Sequence, residues 1–128
     1  MGRLLIIDDD KTDRFLMKKA LLKQRKTLEL IELEQGFEAV KVIKEKQPLA
    51  TLLDIRMPGL DGFDVLKMIR QDPQLREHPV YMVSGSEEPS DMALAREFGA
   101  SGYLTKPGSV GGYGELAKTV SESVFGTA

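Results

Sequence analysis

Residues 4–10 read Leu4-Leu5-Ile6-Ile7-Asp8-Asp9-Asp10, a short apolar run that ends abruptly in three acids. Four successive large apolar residues leave no side suited to water, so the run reads as a strand covered on both faces, as in a parallel sheet flanked by helices. The same shape recurs at 28–33, 51–53, 80–83 and 102–104. The stretches between have helical period: Leu16, Met17, Ala20 and Leu21 share a face, as do Ala39, Val40 and Ile43, and then Val65, Leu66 and Ile69. Later helices are expected over 91–98, stopped by Gly99, and over roughly 113–124, with Leu116, Ala117, Val120 and Val124 inward. Five strands alternating with five helices predict an α/β fold, a doubly wound five-stranded parallel sheet of order 2-1-3-4-5.

Composition agrees with that frame. The 128 residues suit one domain with one core, expected to span 1–128. A net charge of -2 gives no reason to expect nucleic acid or an anionic membrane as partner. The absence of cysteine removes disulfides, zinc-thiolate sites and thiol nucleophiles, so any metal is bound by oxygen. No apolar run approaches the ~18 residues needed to cross a bilayer, and a cytoplasmic protein is the default expectation.

In a doubly wound sheet, ligands bind beyond the carboxyl ends of the strands where the winding reverses, here between strands 1 and 3. The polar residues at those ends are Asp8 and Asp9, Asp54, Ser84 and Lys106. Two unit charges ~4 Å apart at an effective dielectric near 20 repel by ~4 kcal/mol, so crowded carboxylates take up protons or bind a cation. With only oxygen ligands at hand, a hard divalent ion fits, and Mg²⁺ is the first choice because it needs few carboxylates and completes its shell with water and phosphate oxygens. A carboxylate is also a nucleophile toward phosphorus. Phosphoryl transfer needs mainly positioning and charge neutralisation, which Mg²⁺, Lys106 and a hydrogen bond from Ser84 would supply.

The stretches IIDDD (6–10), LLDIRMPGLDG (52–62), MVSGS (82–86) and YLTKP (103–107) resemble, in that order, the receiver domains of bacterial two-component response regulators, of the single-domain, chemotaxis-regulator kind with a flavodoxin-like fold. The resemblance implies a phosphorylation-dependent signalling switch rather than a conventional enzyme: Asp54 accepts a phosphoryl group from a histidine kinase or histidine phosphotransfer protein. The domain would catalyse this step and its own slow dephosphorylation. It implies that Asp8, Asp9 and Asp54 hold Mg²⁺ together with the backbone carbonyl of Arg56, whose side chain is then free near the mouth of the site. Ser84 and Tyr103 become the switch pair, the hydroxyl moving toward the phosphoryl group and the ring turning inward. The face made by the fourth helix, fifth strand and fifth helix is where receivers commonly meet a downstream protein, with no nucleic acid or membrane contacted directly.

Other residues read as structural. Asp10, three residues before Asp13, and Asp61, before Gly62, are expected to cap helices. His78 reads as a surface-loop histidine, and the Lys106–Pro107 bond is one the family often has cis. Gly85 stands where the family commonly has alanine, and the resemblance implies that Arg56 and Ser86 occupy the two positions that in the family flank the path of the attacking water. The stretch GSVGGYGEL (108–116) departs most from the family; its glycines are expected in a loop ahead of a late-starting last helix. A stand-alone switch or phosphorelay intermediate is the leading expectation, and a receiver excised from a longer protein reads the same, because a boundary leaves no chemical mark. A metal-dependent phosphatase would need a second acid two residues beyond its nucleophile, where Arg56 stands, and a pure binding module would not need the complete polar set.

Overall fold

A computed structural model describes residues 2–126. Its elements are β1 (Arg3–Ile7), α1 (Lys11–Gln24), β2 (Glu29–Leu33), α2 (Ala39–Lys46), β3 (Ala50–Asp54), α3 (Gly62–Gln71), β4 (Val80–Ser84), α4 (Pro89–Glu97), β5 (Gly102–Thr105), a 3₁₀ turn (Val110–Gly112) and α5 (Tyr113–Phe125). The strands form one parallel sheet of order β2-β1-β3-β4-β5, as expected. The two-residue period of each strand divides the core between its faces. Leu5, Ile7, Leu53 and Met82 pack with Ile43, Val65, Leu66 and Ile69 of α2 and α3 on one side. Leu4, Ile6, Leu52 and Val83 pack with Met17, Leu21, Leu116 and Val120 of α1 and α5 on the other.

The strands run slightly further than their apolar cores: Asp54 and Ser84 are the last residues of β3 and β4, so the sheet carries these polar groups on its rigid part. Helix α4 begins at Pro89, two residues earlier than expected, because proline suits the first turn, where its missing N–H is not needed. Gly108, Gly111 and Gly112 do lie in a loop and a 3₁₀ turn and α5 starts late, at Tyr113, but Gly114 falls in the first turn of α5 rather than in the loop. The Lys106–Pro107 bond is trans, not cis, the ordinary lower-energy form of the peptide.

Both caps are present. The Asp10 carboxylate accepts from the Asp13 amide (2.9 Å), and Asp61 and Asp64 form a reciprocal capping box at α3. Gly62 is required for a different reason. A Cβ there would lie 2.3 Å from the Asp54 carbonyl oxygen and 2.8 Å from the Ile55 Cα, so only glycine lets α3 start against the end of β3. Its amide also donates to the Ile55 carbonyl (2.8 Å), which ties the chain just after Asp54 to the helix.

Candidate functional site

Asp8 leaves β1 buried, and each of its polar groups has work. Its amide donates to the Leu33 carbonyl (3.1 Å), its Oδ1 accepts from the Asp10 amide (2.9 Å), and its Oδ2 lies 2.9 Å from Lys106 Nζ. Its carbonyl accepts from Arg14 Nη1 at 2.6 Å. Arg14 is itself buried at 7% exposure and also contacts Glu32 and Glu34, each at 3.2 Å. Sequence reading missed Arg14. The available signal was its spacing, since residues 14, 17 and 21 share the inward face of α1 and a cation there needs acidic partners.

Asp8, Asp9 and Asp54 each present a carboxylate oxygen, and these oxygens lie within 4.8 Å of one another. Asp8 and Asp54 are buried while Asp9 is exposed. Burial, and next the charge of Asp8 with a smaller share from Asp9, push Asp54 up to about 7, against the pull of Lys106. Three carboxylate oxygens so arranged, with one nearby ammonium to offset them, fit a hard divalent cation.

Lys106, just past β5, contacts Asp8 and Asp13 at 2.9 Å each and Asp54 Oδ1 at 3.3 Å. Burial alone would lower its pKa, but the bonds to Asp13 and Asp8 and the charges of Asp54 and Asp8 outweigh it and hold the ammonium above its usual range. Asp13 and its second partner, Tyr113, whose hydroxyl donates to Asp13 Oδ1 (3.2 Å), were not read as site residues. Together with Asp8, Asp54 and Lys106 they line one small crevice.

Ser84 is buried at the end of β4, where its Oγ accepts from the Ser86 amide (3.1 Å) and its carbonyl from the Lys106 amide (2.7 Å). The half-buried Tyr103 donates its hydroxyl to the Ser86 carbonyl at 2.6 Å, so the ring is already tied to the loop after Ser84. Arg56 is not free, contrary to expectation. Its guanidinium reaches Asp91 Oδ2 at 2.5 Å, because that carboxylate, in the first turn of α4, is buried and needs a counter-ion. His78 also departs from a plain surface residue. It is half-buried at the opposite edge of the sheet, with Nε2 2.8 Å from Thr51 Oγ1, and burial lowers its pKa to about 4, the charge of Arg70 adding to the effect.

Among the described residues no helix is long and apolar enough to cross a membrane. Residues 4–117 match the model of the family described as Response regulator receiver domain. The chain is 32% identical over 107 residues to Protein PilH of Pseudomonas aeruginosa, covering 84% of this chain and 87% of that one. It is 33% identical to the alkaline phosphatase synthesis transcriptional regulatory protein PhoP of Bacillus subtilis, where the match covers 82% of this chain but only 42% of the longer relative. The crystal structure of the phosphorylated cyanobacterial phytochrome response regulator RcpA superposes with a TM-score of 0.89 at 27% identity, covering 99% of this chain and 96% of that one. On the strand order, the acidic strand ends and these likenesses, the chain belongs to the response regulator receiver domain family of two-component systems.

Proposed function

We propose that Asp54 is the phosphoacceptor of a signalling switch. The observation that carries this reading is the Asp54 carboxylate, buried between two further acids and 3.3 Å from the Lys106 ammonium. One Asp54 oxygen attacks the phosphorus of a phosphohistidine on a histidine kinase or phosphotransfer protein. The P–O bond forms as the P–N bond breaks, and the imidazole leaves with the electron pair. Asp54 must be ionised to attack, and its pKa of about 7 leaves a large protonated fraction near neutrality until a cation arrives. A Mg²⁺ ion held by Asp8, Asp9, Asp54 and, by family resemblance, the Arg56 carbonyl would supply that charge and neutralise the transferred group.

Lys106 keeps an ammonium within reach of the acceptor and is available to a phosphoryl oxygen. Ser84 turns its hydroxyl from the loop to the phosphoryl group, and the loop carries Tyr103 with it through the Ser86 carbonyl. The readout is a protein partner on the face of α4, β5 and α5, not nucleic acid or membrane, and the setting is the cytoplasm. The domain catalyses its own phosphorylation and slow dephosphorylation, and it spans the whole chain. Incubation with a small phosphodonor and Mg²⁺ is expected to add one acid-stable, hydroxylamine-labile phosphoryl group by intact mass. No adduct, or an adduct that persists in Asp54→Ala, overturns the assignment.

A further inference from the structure

We propose that Asp13 is a positioning residue for Lys106, held in turn by Tyr113, and that it aims one donor of the ammonium at Asp54. The inference rests on the phosphoacceptor reading of Asp54 and extends it to two residues outside the family stretches. A lysine ammonium has three donors on a flexible four-carbon stem, so its direction is set by its acceptors. Here Asp8 and Asp13 take the two shorter contacts, at 2.9 Å each, with a hydrogen bond to Asp13, and Asp54 Oδ1 lies further off at 3.3 Å.

Asp13 suits the anchoring role because it is fixed at both carboxylate oxygens. Oδ2 accepts from Lys106, and Oδ1 accepts from the hydroxyl of Tyr113, the buried first residue of α5. Burial, with the charge of Asp13, pushes Tyr113 up to about 12, so the phenol keeps its proton and remains a donor. Asp13 also lies outside the trio Asp8, Asp9 and Asp54. Were Asp8, Asp9 and Asp54 to hold a divalent cation, Asp8 would be less available to Lys106, and Asp13 would remain as the anchor that keeps the ammonium beside the acceptor.

The test is a double-mutant cycle with two readouts: the phosphorylation rate with acetyl phosphate, and the affinity for beryllofluoride, a phosphoryl mimic, in the presence of Mg²⁺. Asp13→Ala is expected to weaken both about tenfold, the size of one hydrogen bond to a charged group. Asp13→Asn, which keeps an oxygen in place, recovers most of that loss, and Tyr113→Phe costs about twofold to threefold. With Lys106→Met present, Asp13→Ala causes no further loss, because its effect passes through the ammonium. Folding is preserved in Asp13→Ala, since the α1 cap uses the backbone amide of residue 13. Unchanged or faster phosphorylation in Asp13→Ala, or an equal loss in the Lys106→Met background, overturns the inference while wild-type phosphorylation leaves the Asp54 reading standing. A wild-type protein that takes up neither phosphoryl nor beryllofluoride overturns both.

Discussion

At the amino ends of the central β3 and its neighbour β4, polar groups meet neutral partners. Thr51, fully buried, faces His78 at 2.8 Å, and the Val80 amide donates to Ser101 Oγ (3.0 Å) while the Ser101 amide returns a bond to the Val80 carbonyl (2.7 Å). At the carboxyl ends, Lys106 is shared by Asp8, Asp13 and Asp54, with Asp9 close by. One edge is satisfied and the other is left short of positive charge. An edge of the first kind only stabilises the fold, whereas the second stores repulsion that a bound cation would relieve. The two edges therefore respond to pH in opposite directions.

The strongest way to break this contrast is to remove the shared cation. Lys106→Met leaves crowded carboxylates without a buried counter-ion and is expected to cost about 3 kcal/mol in urea unfolding at pH 8, with part recovered by Mg²⁺. No loss would mean that the carboxyl edge is not short of charge. A smaller effect of opposite sign is expected from Asp54→Asn. The folded pKa of Asp54, about 7, lies above its ordinary 3.8, so the folded state binds this proton more tightly and loses relative stability as pH rises from about 4 to 7. Asp54→Asn should therefore stabilise the metal-free protein at pH 8 by about 1–2 kcal/mol, discounted for solvent reaching the crevice, and hardly at pH 4.

The amino edge sharpens the contrast from the other side. The folded pKa of His78, about 4, lies below its ordinary 6.5, so its contribution is complete above pH 6.5 and lost as pH falls to about 4. His78→Gln is expected to reduce the acid-side loss by on the order of 1 kcal/mol, seen as a flatter thermal midpoint between pH 6.5 and 4. An unchanged acid limb would show that His78 is not held neutral by the fold.

Much of this was legible along the chain. Strand-length apolar runs each ending in Asp8, Asp54, Ser84 or just short of Lys106 announced both the sheet and the edge that gathers the polar groups, because strand burial follows local periodicity. Asp10 and Asp61 were readable as caps for the same local reason. The partners of Arg14, Asp91, Tyr113 and His78 were not. Each looks ordinary in its own segment, and each depends on a residue that arrives from elsewhere, as Arg56 does for Asp91 across 35 positions.

The sequence by itself determined the order of elements, the covered faces of the strands and which edge gathers the acids, since these follow from patterns within a few residues. Only the tertiary structure decided how the charges divide: Lys106 among three carboxylates, Arg56 to Asp91, Tyr113 to Asp13. Hydrophobic burial depends on which face a residue occupies, but a charge selects its partner at about 3 Å, a distance set by how helices from distant segments settle on the sheet.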